Sequence, residues 1–400
     1  MIIGLIGKAN VGKSTFFNAA TELAVPAANY PFTTIEPNVG VAYARVKCVC
    51  REFGVQDNPV HSMCIDGNRF IPVKLVDVAG LVPGAHTGKG LGNKFLDDGR
   101  QADALVHIVD ASGTTDSNGR PVPAGTGDPM FDIEFVEEEF DLWLAALVGR
   151  EWAKNAREAE GLGQKLEQML AKRLSGLAVS EPVIAGAIHA SGLSMKKPVS
   201  WTGEDVLMFC KILRTKAKPF VIAANKADLP SAEVNIEKMK AAGLEVVPCA
   251  SEAEALLRKA SRKGVLHYLP GDSTFEVKAD VALNAQQQKA LDIVKTLMQK
   301  YGSTGVQEAV NIVCFKLLRM VAVYPVEDEI KLADKKGNVL PDVRLLPEGA
   351  TAKDLAQTVH AELAKGFLYG VDARTKQRVG ADHKLKSGDV IKIVSATSRG

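Results

Sequence analysis

Short apolar runs mark the first half of the chain. Residues 2–6, Val73–Val76, Ala104–Val109, Phe220–Ala224 and Glu245–Pro248 are each rich in β-branched or apolar residues. Each ends in a polar loop of the kind that holds ligands. Runs apolar throughout, rather than alternating, predict strands buried on both faces, hence a mostly parallel sheet with crossover helices. The interval between the third and fourth runs is too long for one crossover. After a Gly/Pro-rich loop, Asn118 to Gly127, the stretch Ile133–Leu177 carries Phe135, Leu142, Leu144, Leu147, Trp152, Leu166, Met169 and Leu170 at roughly helical spacing. Gly161 and Gly163 predict a break, giving an inserted α-helical hairpin arm that is either a solvated spacer or a partner-docking element. Helices are expected over Ala285–Lys300 and Val306–Cys314. Strands follow at Met320–Tyr324 and Glu329–Ala333, then a helix N-capped by Thr351 with Asp354 three residues on, and a closing strand Val390–Val394. The expected class is α/β with a C-terminal α+β module. The domain bounds are 1–117 with 216–315 (discontinuous), 118–215 for the insertion and 316–400 for the module.

Composition changes this picture little. The 400 residues are 46% hydrophobic and 24% charged, which excludes global disorder. The net charge is +2, but the segment from Lys316 onward has 15 Lys/Arg against 11 Asp/Glu, a charge of +4 compatible with RNA contact. The opening run Met1–Ile6 is too short for a signal peptide, and no stretch approaches the ~20 apolar residues of a membrane span. Six cysteines without an export signal read as reduced thiols in a cytoplasmic protein without membrane attachment.

The candidate chemistry starts at Gly7-Lys8-Ala9-Asn10-Val11-Gly12-Lys13-Ser14, a G-x-x-x-x-G-K-S run between a strand and a helix. Such a loop curls its N–H groups around the phosphates of a nucleotide. Gly7, Asn10, Val11, Gly12, Lys13, Ser14 and Thr15 form the candidate phosphate set, with Lys13 on the β- and γ-phosphates and the Ser14 hydroxyl on Mg²⁺. Asp77-Val78-Ala79-Gly80 follows the second strand as D-x-x-G. Asp77 would hold Mg²⁺ through water and the Gly80 N–H would sense the γ-phosphate. Tyr30-Pro31-Phe32-Thr33-Thr34 lies in an irregular segment suited to a switch, where Thr34, or alternatively Thr33, would reach Mg²⁺ and the γ-phosphate.

Asn225-Lys226-Ala227-Asp228 follows a strand as N-K-x-D. The Asp228 carboxylate suits the N1–H and amino group of guanine, whereas adenine would leave it desolvated and unpaired. Asn225 would contact N7 or fix the P-loop, and the Lys226 stem would lie over the base. Cys249-Ala250-Ser251 occupies the place of a further base-contacting loop, where a backbone N–H would meet O6. Ser251 with Glu254 also reads as a capping pair. After D-x-x-G stands Leu81, which cannot orient water, so intrinsic turnover should be at or below the order of 10⁻³ s⁻¹. His86, His107 or a K⁺ ion beside Asn10 are the candidate substitutes, although His86 also reads as an exposed loop residue and His107 as a core histidine. Cys48, Cys50, His61 and Cys64 offer zinc donors, but C-x-C followed by H-x-x-C lacks paired knuckles, and reduced structural thiols are the expectation.

Together these motifs resemble the OBG-like GTPases, and within them the YchF-type family, over nearly the whole chain. The most specific runs are Asn29 through Gly40 and Asp77 through Leu81 with Gly84, Gly88, Gly90, Gly92 and Asn93. Val323-Tyr324-Pro325, Leu346 through Thr351 and Gly388-Asp389-Val390 resemble a TGS domain, a β-grasp fold. The resemblance implies a P-loop NTPase G domain interrupted by a helical arm, Leu81 as a hydrophobic substitute for Gln, and a ribosome- or translation-linked role. Many YchF-type members have a changed base-reading motif and use ATP; the intact N-K-x-D here resembles the archaeal and fungal branch and keeps the expectation on GTP. Ala250-Ser251 stands where Ser-Ala is typical, and Gly99 is unusual. The expected protein is a monomeric, slow GTPase switch that binds the ribosome or structured RNA through its arm and TGS domain. Its alternatives are a YchF-type ATPase, a kinase, for which no lid or acceptor site is visible, and a nucleotide-gated scaffold that does not turn over.

Overall fold

The computed structural model describes residues 1–21, 38–78, 101–161, 165–177 and 179–396. They fall into two compact units, one drawn from residues 1–21, 38–40 and 74–309, the other from 41–73 and 310–396. The inserted helices thus belong to the first unit, and a segment from the N-terminal third joins the C-terminal module. The chain opens with β1 (Ile2–Ile6) and α1 (Lys13–Thr21), followed by β2 (Val39–Lys47), β3 (Met63–Ile65), β4 (Asn68–Asp77) and β5 (Ala104–Asp110). Further on come β6 (Phe220–Asn225) and β7 (Val246–Pro248). These strands run in the order β2-β4-β1-β5-β6-β7, with β3 paired antiparallel to β4. The neighbours from β4 to β7 are parallel.

All seven residues of β5 are buried, as its unbroken apolar run requires of a strand covered on both faces. The register sets Leu5 beside Asp77, and Asp110 beside Asn225. The chemistry-bearing residues therefore leave neighbouring strands at their carboxyl ends, where open α/β sheets bind ligands.

The insertion is not a hairpin. Helices α2 (Pro129–Gly149), α3 (Trp152–Gly161), α4 (Leu166–Arg173), α5 (Glu181–Ala190) and α6 (Gly203–Ala217) form a cluster with its own core of Leu144, Leu170, Ile184, Phe209 and Leu213. A first, unexpected break lies at Glu151, which takes φ 56°, and α3 then ends at Gly161, where a break is expected. α2 serves two cores: Val136 and Phe140 pack with Ile6 and Leu105 of the sheet, while Leu144 and Val148 enter the helical cluster. Arg214 of α6, buried, ties it to α2 by ion pairs with Asp141 at 2.7 Å and Glu137 at 2.9 Å. No helix among the described residues is long and apolar enough to cross a membrane.

After α7 (Ala232–Ala241), α8 (Ser251–Arg262) and the short hairpin of β8 (Leu266–His267) and β9 (Glu276–Val277) come α9 (Ala285–Tyr301) and α10 (Val306–Asn311). The second unit contains β10 (Met320–Val326), β11 (Arg344–Pro347), α11 (Ala352–Val359), β12 (Phe367–Asp372), β13 (Arg378–Val379) and β14 (Val390–Ser395). Their order is β11-β10-β14-β12-β13, with β10 and β14 parallel and the other pairs antiparallel. Thr351 and Asp354 form the expected capping box on α11. The expected strand Glu329–Ala333 is instead a turn closed by single bridges, where Asp328 accepts from the N–H groups of Ile330 and Lys331; the partner of β10 lies later, at β11.

The two sequence segments of this unit are tied to each other. Arg69 of β4, wholly buried, donates to Asp57 (3.0 Å), Ser62 (2.9 Å) and the carbonyl of Leu340 (3.0 Å), with its guanidinium 5.3 Å from the centre of the Tyr324 ring. Val60 N–H donates to Pro341 O at 2.8 Å, and Arg374 pairs with Glu52. Deleting the chain from Val321 would leave Arg69 and Asp57 without much of their cover.

Candidate functional site

The glycine-rich loop between β1 and α1 is held from three sides. Gly12 takes φ 95°, and a Cβ there would lie 2.2 Å from Asn225 Nδ2, so only glycine lets the asparagine close over the loop. That Nδ2 donates to Val11 O at 2.9 Å, while Asn225 Oδ1 accepts from the Ser251 N–H at 3.0 Å and the Ser251 hydroxyl at 2.9 Å. Asn225 is therefore a brace between three loops, and it fixes the P-loop as one of its two expected roles requires.

A second support comes from the loop after β5. Lys8, buried, pairs with Asp132 at 2.6 Å and reaches Thr115 O at 3.3 Å. Asn10 takes φ 63° and donates its amide to Gly119 O at 2.9 Å. Gly119 sits so close that a Cβ would lie 2.6 Å from Ala9 O.

At the head of α1, Ser14 Oγ donates to Asp77 Oδ2 at 3.3 Å, and Lys13 Nζ lies 3.4 Å from Asp77 Oδ1. Asp77 Oδ1 is buried without a hydrogen bond among the described residues. An ammonium, a hydroxyl and an underused carboxylate oxygen thus converge beside the open N-terminus of a helix. This donor set fits Mg²⁺, a hard cation that takes oxygen ligands, and fits the anionic phosphates it would accompany. Thr15 is half-buried in the same first turn.

The base-reading loop leaves β6 with Lys226 at φ 61°, an uncommon conformation for a non-glycine residue. Ala227 N–H donates to Cys249 O at 2.9 Å, locking this loop to the one after β7. Lys226 Nζ donates to Asp110 Oδ2 at 2.8 Å and to Thr114 Oγ1 at 2.9 Å. Asp110, buried, also accepts from the hydroxyls of Ser112, Thr114 and Thr115. Burial pushes the Asp110 carboxyl up, but the hydrogen bonds from Lys226, Ser112 and Thr114 outweigh it and hold the group below its usual range. Asp228, next but one, is exposed and has no side-chain partner among the described residues, so its acceptors are available. A groove of about 430 Å³ between Ala227–Pro230 and α9 touches Asp228 but no P-loop residue; it adjoins the base-reading loop without containing the phosphate site.

Three expectations need correction here. Ala250 N–H donates to Thr304 O at 2.9 Å and Ser251 N–H to Asn225, so neither faces a base. The next N–H groups at the head of α8, those of Glu252 and Ala253, have no acceptor among the described residues. The Ser251–Glu254 capping pair is also absent. Ser251 is the first helical residue and makes no cap bond, while Glu254, wholly buried, accepts from Arg258, Tyr268 and Thr304. His107 leaves the catalytic set: it is 1% exposed, its ring meets Phe220 edge-on at 6.2 Å, and neither ring nitrogen has a hydrogen-bond partner among the described residues. Burial first, and the Arg214 charge second, push it down to about 3, so it is neutral at pH 7. Thr34, Gly80, Leu81 and His86 lie outside the described residues.

Sequence reasoning missed Lys8, Asp110, Thr114, Asp132 and Gly119. Only a lysine inside a glycine-rich loop and an aspartate ending a wholly apolar strand could have drawn attention to them.

A parallel sheet bearing a phosphate loop, an Mg²⁺-suited serine–aspartate pair and a guanine-type base loop at its carboxyl edge defines a P-loop guanine-nucleotide-binding domain. Comparisons agree. Residues 2–124 match the 50S ribosome-binding GTPase model, 223–328 the G4 motif-containing domain of Obg-like YGR210-like GTPases, and 335–395 the TGS domain. The chain is 50% identical over 99% of its length to a GTP-binding protein of Methanocaldococcus jannaschii, 99% of which is covered. It is 32% identical to the ribosome-binding ATPase YchF of Bacillus subtilis, with 97% of each chain covered. The crystal structure of a GTP-binding protein from Pyrococcus horikoshii superposes with a TM-score of 0.79 at 41% identity, over 99% of this chain and 100% of that one. The chain belongs to the YchF-type Obg-like family of P-loop GTPases and is a GTP-binding protein with a C-terminal TGS domain.

Proposed function

We propose that this chain is a guanine-specific GTPase that hydrolyses GTP slowly and acts as a conformational switch on the ribosome. The observation that carries this reading is the Asn225 brace, which holds the phosphate loop and both base loops in one frame and leaves the Asp228 carboxylate exposed beside it. Asp228 accepts from N1–H and the amino group of guanine. The O6 contact passes to the N–H of Glu252, the first donor of α8 left without an acceptor. Lys13 neutralises the β- and γ-phosphates, and Ser14 and Asp77 hold Mg²⁺, which when bound offsets charge on the transferred phosphoryl group. Thr34 and Gly80 keep the γ-phosphate-sensing roles that their positions in the sequence suggest. Leu81 supplies no hydrogen bond for the attacking water, so His86 or a K⁺ ion beside Asn10 provides the missing help, and turnover without a partner stays at or below the order of 10⁻³ s⁻¹.

The names of relatives support the partner: one is a ribosome-binding ATPase and one matching model is of ribosome-binding GTPases. The basic C-terminal segment suits RNA. In co-sedimentation with ribosomes at moderate salt, the chain bound to a non-hydrolysable GTP analogue should pellet and the GDP-bound chain should remain largely free. Pelleting indifferent to nucleotide, or lost with a small rise in salt, would contradict a nucleotide-gated ribosomal role.

A further inference from the structure

We propose that Cys48, Cys50, Asp57 and Cys64 form a structural zinc site that closes the β2–β3 connection. The four donors come from separate stretches: Cys48 just after β2, Cys50 opening a helical turn (Cys50–Phe53), Asp57 in the following loop, and Cys64 within β3. One ligand atom from each lies within 4.8 Å of all the others. The Cys50 and Cys64 sulfurs are 3.7 Å apart, and Cys48 Sγ is 3.2 Å from Asp57 Oδ2. A tetrahedral zinc ion with bonds of about 2.3 Å to sulfur and about 2.0 Å to oxygen needs sulfurs about 3.8 Å apart and a sulfur–oxygen distance of about 3.5 Å. Zinc would therefore enter with only small side-chain shifts.

The spacing in the sequence points to His61 as the fourth donor, and the structure replaces it. His61 Nδ1 pairs with Asp342 at 2.7 Å and is not in the cluster. Asp57 takes its place, seven residues before Cys64, with no motif to announce it.

The surroundings fit an anionic centre. Three thiolates and a carboxylate around zinc carry a net charge of −2, and Arg69 supplies a buried positive charge through its 3.0 Å contact with Asp57 Oδ2. Cys64 pairs directly with Arg69 across the β3–β4 ladder. The Tyr324 hydroxyl, on β10, is buried without a hydrogen-bond partner among the described residues, and its ring lies against Arg69, which contacts the ligand Asp57. A ligating thiolate of the cluster would give that orphan hydroxyl an acceptor, the outer-shell contact that ligating groups commonly have. With three sulfurs, one oxygen and three of the four residues buried, the site is closed and thiolate-rich; this suits structural zinc rather than a harder cation.

The test uses the full chain, purified without a metal-binding tag under reducing conditions. It should carry about one zinc ion per chain, and cobalt exchanged into it should show sulfur-to-cobalt charge transfer with the strong visible bands of a tetrahedral site. Cys50→Ser and Cys64→Ser should each lose the metal. If these fail to fold, Tyr324→Phe, which removes only the hydroxyl, should weaken zinc binding by roughly tenfold in chelator competition. Titrating wild-type thiols with a mercurial should release the zinc as the third cysteine of the cluster reacts. A folded wild-type chain that takes up no zinc from a zinc-loaded buffer overturns the proposal. So does a Cys50–Cys64 disulfide in the protein isolated from reducing conditions, or a metal retained undiminished by both serine variants.

Discussion

Asp228→Asn is expected to lower affinity for GDP by roughly 100-fold and to turn the preference towards xanthosine diphosphate. The carboxylate accepts two charge-assisted hydrogen bonds, from N1–H and from the 2-amino group, and such bonds contribute about 1.5–3 kcal/mol each. Asparagine keeps one acceptor and sets an amide N–H₂ against the donor edge of guanine. Xanthine has a carbonyl in place of the amino group, which that N–H₂ can satisfy. Asp228 is exposed and without a side-chain partner, so the change removes no fold contact among the described residues and the chain should melt within about 0.5 kcal/mol of wild type. Displacement of a fluorescent GDP by unlabelled GDP, ADP and xanthosine diphosphate reads the effect. An unchanged order of the three would mean that Asp228 does not read the base.

Lys13→Ala should cost more, roughly 10²- to 10³-fold in affinity for GTP and GDP alike. Truncating one partner of a desolvated charge pair costs about 2–5 kcal/mol, because the phosphates lose their counter-charge. Lys13 faces Asp77 at 3.4 Å, both side chains a little exposed. Its removal leaves Ser14 still donating to Asp77, so the fold should survive with a small loss. Titration calorimetry with a thermal melt separates the two effects. Micromolar binding retained by a well-folded variant would contradict the phosphate assignment.

Much of this site is legible in the sequence alone because its motifs are local. Gly7 to Ser14 is one loop whose shape is dictated by its own glycines, and Asn225 to Asp228 is one turn after a buried strand. What the sequence hides is pairing across long separations. Lys8 meets Asp132 and Thr115, and Lys226 meets Asp110, over a hundred residues away in each case. No periodicity encodes such contacts. The O6 donor moves from Ala250 and Ser251 to Glu252 because Thr304 and Asn225 take the earlier N–H groups. By spacing His61 is a better zinc donor than Asp57, yet Asp342, far along the chain, holds it elsewhere.

The fold is legible in the same uneven way. Strands buried on both faces stand out as apolar runs. β2, Val-Gly-Val-Ala-Tyr-Ala-Arg-Val-Lys, is too dilute in strand-forming residues to stand out beside them. The insertion reads as helical but not as five helices, because its first break needs no glycine: Glu151 adopts the left-handed conformation itself. The α5 and α6 helices announce themselves by Pro182 and by the Thr202–Asp205 capping box, signals that lie beyond the conspicuous glycines 161 and 163. That residues 41–73 belong with the C-terminal module depends on Arg69 and its partners, again a long-range fact.

The measurement that bears most directly on the account is multiple-turnover phosphate release from GTP and, in parallel, from ATP, by the full chain in K⁺ and in Na⁺, with Lys13→Ala as the blank. The expected result is slow but repeated turnover of GTP, faster in K⁺ if the ion beside Asn10 is the missing help, and at most about a hundredth of that rate with ATP. ATP turned over as fast as GTP would contradict guanine specificity, and no GTP turnover above the Lys13→Ala blank would leave a nucleotide-binding scaffold in place of a GTPase.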